Sequence, residues 1–383
     1  MNAPFIFGKA VSGSHFTDRK AETHSLVNNF KYGINTIIIS PRRYGKTSLV
    51  KKAGAIAADK DLKVVYLDIF TARSPREFGE IFADALLKQT SSIRDEIIAA
   101  AKELLSRLRP KYTIDVGGMG EMSLSLDIEN EREDLDEILE LPEKIAKKKN
   151  CRIVVCIDEF QQVSEFNDSL HFQKRLRTHW QHHQYSSYCL FGSKKHMMNE
   201  LFALPSMPFY KFGDVINLKK IPENDWIAFI LERFNDAGKP VTEEIAAKIC
   251  LLTENYSSYV QQLSWLLWTN YNAENLEETL QLSYQQLIEH SAILFEQQTQ
   301  DLTEYQLNFL KMLLEEKIEK YNSTEAIRMY NLGSPANIGR LKSALIRKEL
   351  VEIEDGKLII RDPILKVWLR RKLSVQSSSF SIK

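Results

Sequence analysis

Gly45, Lys46 and Thr47 close the run Ser40-Pro41-Arg42-Arg43-Tyr44-Gly45-Lys46-Thr47-Ser48, which follows the apolar β-branched stretch Thr36 to Ile39 and precedes a helical pattern. These residue types can hold a nucleoside triphosphate. Glycine lets the backbone approach phosphate oxygens, lysine brings an ammonium to the β- and γ-phosphates, and a threonine hydroxyl suits the accompanying Mg2+. Only the second half of the pattern G-x-x-x-x-G-K-[ST] is filled, because Ser40 stands where the first glycine belongs. Ser40 is small enough for the turn, and Pro41 presets one dihedral of the loop.

A second group completes the chemistry. Ile153 to Ile157 form a continuous apolar run ending in Asp158-Glu159, the pattern of a buried parallel strand with acids at its carboxyl end. At that end Asp158 can hold the metal and Glu159 can polarise an attacking water. Ser187 to Phe191 read as a further strand ending in Gly192-Ser193, and Ser193 is the candidate for sensing a γ-phosphate or orienting water. Together these motifs point to hydrolysis of ATP or GTP.

The elements that must position these groups follow from periodicity. Strands are expected at Thr36–Ile39, Lys63–Ile69, Arg152–Glu159, Ser187–Phe191 and Val215–Leu218. A strand, loop, helix and strand in succession imply a parallel sheet with a right-handed crossover. Helices are expected from Thr17 to Phe30, capped by Thr17 or Asp18, from Pro75 to Leu108 where Pro110 stops the run, from Glu131 to Lys149, and from Ser169 to His183. Between 111 and 128 the period becomes two around Gly117-Gly118-Met119-Gly120, a hairpin with a glycine-rich tip. The helix from Ser169 bears His171, His179, His182 and His183 without the spacing of a structural zinc set, and reads as a polar surface helix. Phe5, Phe7 and Phe16 either pack over a base or anchor an N-terminal arm.

From Pro222 the chain turns helical, with segments at Asn224–Ala237, Thr242–Thr253, Tyr256–Asn270 and Leu276–Gln300 that read as a small lid. The segment Leu302 to Leu373 offers three helices (Thr303–Glu315, Ser323–Tyr330, Ala336–Lys348) and a hairpin turning at Asp355-Gly356, which together describe a winged helix. Its third helix carries Arg340, Lys342, Arg347 and Lys348 for phosphate contacts, while Glu349, Glu352, Glu354 and Asp355 load the wing with opposing charge. Double-stranded DNA and a protein partner therefore both stay open.

Composition limits the remaining classes. The chain has 383 residues, with Lys+Arg and Asp+Glu equal at 51 each, so there is no general pull towards nucleic acid or membrane. The four cysteines include no C-x-x-C pair, which fits a reducing compartment. Residues Met1 to Phe16 lack the pattern of a secretory signal, and no apolar run approaches the ~20 residues of a membrane span. The expectation is a soluble cytoplasmic protein, with self-association left open.

The chain resembles the archaeal-type ATPase family, a branch of the signal-transduction ATPases allied to the AAA+ class. The resemblance rests on Phe16-Thr17-Asp18-Arg19 ahead of Glu22, on Ser40-Pro41-Arg42-Arg43-Tyr44-Gly45-Lys46-Thr47-Ser48, on Ile157-Asp158-Glu159-Phe160-Gln161, on Gly192-Ser193, on Pro208-Phe209-Tyr210, and on Asp362-Pro363 with Trp368-Leu369. It implies an α/β fold with an AAA+-like five-stranded parallel sheet, a helical lid and a C-terminal winged helix. The domains would be 1–220 with the hairpin inserted at 111–128, 221–300, and 301–373, before a disordered tail at 374–383. It implies ATP rather than GTP, with Ser40 to Ser48 cradling the nucleotide, Thr47 and Asp158 on Mg2+, and Glu159, Lys46 and Ser193 acting on the γ-phosphate and water. Two stretches depart from the family: Lys211-Phe212 stand where paired arginines often follow Pro-Phe-Tyr, and Asn255-Tyr256-Ser257-Ser258-Tyr259 stand where a Gly-x-Pro signature is common. No second sensor is assigned. The expected activity is slow or partner-stimulated ATP hydrolysis driving a conformational switch. The alternatives are a nucleotide-bound interaction scaffold with little turnover and a DNA-binding regulator with a vestigial site.

Overall fold

The computed structural model describes residues 3–91, 109–114, 122–127, 131–318, 320–354 and 356–374. They form two compact units, Ala10–Lys220 in one and Met1–Lys9 with Ile221–Lys383 in the other.

The first unit runs α1 (Lys20–Tyr32), β1 (Thr36–Ile39), α2 (Lys46–Ala57), β2 (Leu62–Asp68), α3 (Pro75–Thr90), β3 (Arg109–Ile114), β4 (Met122–Asp127), α4 (Glu131–Leu139), α5 (Leu141–Lys149), β5 (Arg152–Asp158), α6 (Ser169–Trp180), β6 (Ser186–Gly192), α7 (Lys195–Ala203) and β7 (Asp214–Asn217). Five strands make one sheet in the order β2-β5-β6-β1-β7, every neighbouring pair parallel. The wholly buried strands β1 and β6 and the apolar run of β5 are what a parallel sheet covered on both faces requires. The order is decisive for function: β6 lies between the phosphate-loop strand β1 and the acidic strand β5. Ile39 pairs with Gly192 and Ile157 with Leu190, so the three carboxyl ends come out at one edge.

Several expected boundaries move for local physical reasons. Helix α1 begins at Lys20 instead of Thr17, and neither Thr17 nor Asp18 caps it: Asp18 and Arg19 both adopt left-handed backbone, and the cap position Arg19 makes no capping bond. The helix expected over Glu131 to Lys149 is two, parted at Glu140, because Pro142 lacks the N–H that a continuous helix would use. Of the helix expected to reach Leu108, the described part ends at Thr90, and Pro110 falls within β3, paired with Leu126. The glycine-rich tip of that hairpin lies outside the described residues.

Helix α6 ends at Trp180 and is less of a free surface than its histidines suggest. His179 lies 2.7 Å from Asp136 and 2.6 Å from Glu140, while Arg175 reaches Asp136 at 2.6 Å. Burial works against the Asp136 carboxylate, but the Arg175 and His179 hydrogen bonds outweigh it and hold its pKa below the ordinary value. His183 is bonded to the Tyr188 hydroxyl at 2.8 Å. The adjoining face of α6 carries Phe172, Leu176 and Trp180 into the core, where Trp180 stacks on Tyr188 at 4.1 Å and lies beside Phe82, Phe160, Phe209 and Phe212.

The second unit contains α8 (Glu223–Asp236), α9 (Glu243–Leu252), α10 (Ser257–Thr269), α11 (Leu276–Thr299), α12 (Glu304–Glu315), α13 (Thr324–Met329), α14 (Pro335–Arg347), the antiparallel pair β8 (Val351–Glu354) and β9 (Lys357–Ile360), and α15 (Pro363–Lys372). The arm expected within the 1–220 domain joins this unit instead. Phe5 is buried against Phe229 and Phe234, and Phe7 meets Trp265. Helix α15, absent from the elements read by periodicity, is announced by Asp362-Pro363: the Asp362 carboxylate accepts from the N–H groups of Ile364 and Leu365 at 2.9 and 3.1 Å, and proline opens the first turn. Among the described residues no helix is long and apolar enough to cross a membrane.

Trp180→Ala would empty the aromatic centre of the first unit, and a loss of about 3–5 kcal/mol is expected, read as a lowered urea midpoint.

Candidate functional site

The phosphate loop owes its shape to one glycine and its position to one arginine. Gly45 adopts φ +84° as the residue before α2, and no atom crowds its absent Cβ, so glycine is needed there for its backbone and not for space. Helix α2 then presents its N-terminus, with its unpaired N–H groups and positive end of the dipole, towards the loop. Arg19, only 3% exposed, pairs with Glu22 at 3.0 Å and donates to the carbonyl of Tyr44 at 3.4 Å and to that of Lys219 at 2.5 Å. The loop is thereby tied to both α1 and the chain after β7. Arg19 and Glu22 belong to the quoted Phe-Thr-Asp-Arg motif, yet without the fold nothing in the sequence gives them this supporting role.

Inside the loop the Lys46 ammonium is buried and donates to the carbonyl oxygens of Ser40 and Pro41 at 3.2 and 2.9 Å. These bonds hold it across the loop's entry. Ser40 is itself 1% exposed, too tightly enclosed for a large side chain. Ser48 Oγ accepts from the N–H of Val11 at 2.9 Å. Arg43 adopts φ +70°, an uncommon conformation for any residue other than glycine, and Tyr44 is buried.

The fold brings the acidic strand to this loop. Thr47 Oγ1 donates to Asp158 Oδ2 at 2.9 Å, across 111 residues of sequence. Asp158 Oδ1 accepts from the N–H of Glu159 at 2.9 Å. Burial, and secondarily the charges of Glu159 and Asp68, push the Asp158 carboxyl up to about 6 even though Thr47 and the Glu159 N–H favour its ionised form. A hydroxyl and a half-buried carboxylate with an excess of negative charge nearby suit a hard divalent cation, so Thr47 and Asp158 fit Mg2+. Among the described residues no cluster of three or more His, Cys, Asp or Glu forms a complete protein cage for a metal.

Glu159 follows directly, in left-handed backbone at φ +54°, where the chain leaves β5 and enters a 3-10 turn over Phe160–Glu165. Ser193 Oγ donates to Glu159 Oε2 at 3.0 Å, and Arg42 Nε donates to Ser193 Oγ at 3.3 Å. Arg42, Ser193 and Glu159 thus form a line of hydrogen bonds from the loop to the acidic strand. Gln161, quoted in a motif but given no role from sequence, joins the same carboxylate. The core fixes the turn from behind: Phe160 is fully buried and meets the Phe209 ring edge to face at 5.3 Å.

The two departures from the family pattern have structural uses. Phe212 is 6% exposed, packs in the aromatic core and lies under the Arg177 guanidinium at 4.9 Å. In the second unit Tyr259 donates to Asp362 Oδ2 at 2.6 Å, and Tyr256 donates to the carbonyl of Arg361. The stretch from Asn255 therefore fastens α10 to the start of α15.

With its metal-side carboxyl raised above the unfolded value of about 4, the ligand-free folded protein binds a proton at Asp158 more tightly than the unfolded chain. This contribution to stability is present at low pH and is lost as pH rises through about 6. Asp158→Asn is expected to remove that part of the slope and to be at least as stable as wild type at pH 7 in a chelator, checked by urea midpoints at pH 4.5 and 7.

Residues 293–371 match a sequence family described as "Probable winged helix domain". Among solved structures, the chain is similar to a Walker-type ATPase of Pyrococcus abyssi at 14% identity and a TM-score of 0.66, over 96% of this chain and 99% of that one. It is also similar to the ORC2 protein of Aeropyrum pernix in its ADPNP–ADP complexes, at 14% identity and a TM-score of 0.55, over 94% and 95% of the two chains. No curated protein matches the sequence. At such identities the likeness is one of fold: an AAA+-like P-loop architecture with a C-terminal winged helix, as the motifs led one to expect.

Proposed function

We propose that this protein binds and hydrolyses Mg-ATP and acts as a nucleotide-driven conformational switch. The observation that carries the reading is the 2.9 Å hydrogen bond from Thr47 to Asp158, which joins the phosphate loop to the acidic strand at one sheet edge. In this reading Ser40, Pro41, Arg42, Arg43, Tyr44 and Gly45 offer the loop backbone to the phosphates, and Ser48 closes the loop's first helical turn. Lys46 exchanges the carbonyls of Ser40 and Pro41 for β/γ-phosphate oxygens. Thr47 and Asp158 hold Mg2+, which when bound draws charge from the phosphoryl oxygens. Glu159 orients water and accepts its proton, and Ser193 lies where it can bond either the γ-phosphate or Glu159. The preference for ATP over GTP rests on the family resemblance and on the fold's likeness to a Walker-type ATPase.

Glu159→Gln keeps the shape of the side chain but cannot take a proton. It is expected to retain nucleotide binding and to lower turnover by on the order of 100-fold or more, whereas Lys46→Ala is expected to lose binding. ATP turnover and titration with a fluorescent nucleotide check both. Turnover unaffected by Glu159→Gln would favour a binding scaffold.

The switch would act through the winged helix, and DNA is the partner that its surface favours. Gly339, Arg340, Ser343 and Arg347 lie exposed on α14, with the small Ser343 between two guanidinium groups and Gly339 just before the first, which permits close approach to a phosphate backbone. The wing's acids weigh less against this than their number suggests. Arg361 pairs with Glu349 at 3.0 Å and lies 4.0 Å from Glu352. The double variant Arg340→Ala/Arg347→Ala is expected to weaken binding of double-stranded DNA and to lower the slope of log K against log salt by about 2, measured by fluorescence anisotropy. Binding unchanged in that variant would redirect the search to a protein partner.

A further inference from the structure

We infer that Gln161 is a positioning residue for Glu159, and that Gly192 is a glycine in order to admit it. The inference rests on the reading of Glu159 as the residue that orients and deprotonates water.

Gln161 is 1% exposed, in the turn that follows the acidic strand. Its Nε2 donates to Glu159 Oε2 at 2.5 Å, the same oxygen that accepts from Ser193 at 3.0 Å. The chemistry of the acceptor fixes the amide's orientation, because the reversed amide would set its oxygen against a carboxylate oxygen. Two donors on Oε2, together with the left-handed backbone of Glu159, hold the carboxylate in one direction and leave Oε1 for a water.

The other end of the amide shows that packing alone does not account for this residue. Gln161 Oε1 is buried and has no hydrogen-bond partner among the described residues, a situation that ordinarily costs stability. An apolar side chain of the same length would avoid that cost. The amide also needs room: a Cβ at position 192 would fall 1.8 Å from Gln161 Oε1 and 3.0 Å from its Cδ. Gly192 is not among the residues with positive φ, so its backbone could carry a side chain, but one there would have to push the Gln161 amide out of its place and would also press on the Met198 sulfur at 3.1 Å. Position 192 pairs with the last residue of β1 and precedes Ser193, so one glycine serves three neighbouring groups of the site.

The test pairs stability with turnover. Gln161→Met keeps the length and removes the donor. It is expected to melt at the same temperature as wild type or higher, to keep KM for Mg-ATP within about twofold, and to lower kcat by about tenfold or more, because a loosened base loses orientation. Gly192→Ala, which displaces the amide from the other side, is expected to give the same separation of kcat from KM. In a Glu159→Gln background Gln161→Met should cause no further loss. A kcat within twofold of wild type in Gln161→Met, or one that rises, overturns the inference while leaving Glu159 in its role. If turnover survives Glu159→Gln, or wild type has none, the reading of Glu159 fails and the positioning role fails with it. Should Gln161→Met not fold, Gly192→Ala carries the same comparison.

Discussion

The register of parallel strands is the constraint on which the rest depends. Hydrogen bonding aligns Ile39 with Gly192 and Ile157 with Leu190, so the loop after β1, the acids after β5 and the serine after β6 must emerge together. In a parallel sheet all carboxyl ends face one way, and a crevice forms beside the strand at which the connections change direction. Here β1 is flanked by β6 on one side and β7 on the other. Slipping β6 by one residue would turn its side chains to the opposite face and separate Ser193 from Glu159.

Around that edge, charge is held in place by burial and by short local bonds. Lys46 rests on two carbonyls of its own loop, Asp158 on a hydroxyl and an N–H, and Glu159 on Ser193 and Gln161. Each ionisable group thus has a partner that an entering phosphate or cation can replace or join. Burial raises the carboxyl of Asp158, and a divalent cation would relieve the same negative crowding that raises it. The aromatic core behind the edge supplies stiffness. Phe160 lies between Glu159 and Gln161 in sequence and is buried among Trp180, Phe202 and Phe209, so the turn carrying both polar residues is anchored at its middle.

The second unit shows how a departure from a family pattern can be a replacement. Tyr256 and Tyr259 fasten α10 to Arg361 and Asp362, and Asp362 at the same time caps α15. Phe295 on α11 meets Trp368 on α15 at 5.8 Å. The helical segment and the winged helix are therefore joined by specific polar bonds as well as by apolar packing. Asp362 serves both duties at once, and Pro363 opens the helix that it caps.

The sequence by itself determined the strand, loop and helix around Lys46, the acidic end of β5, the helical character after Pro222 and the winged helix, because each is written in contiguous residues whose period or motif is local. It also contained Asp362-Pro363, a legible helix start that periodicity alone passed over. Tertiary structure decided what depends on distant partners. Thr47 meets Asp158 across 111 residues, and Arg19 reaches Lys219 across 200. The same holds for His179 turned from a surface residue into a bridge between two acids, and for the docking of Phe5 far from its neighbours in sequence. Gln161 is the clearest case: its motif was visible, but its work lies in a gap left by Gly192, and a gap between two strands has no signature along the chain.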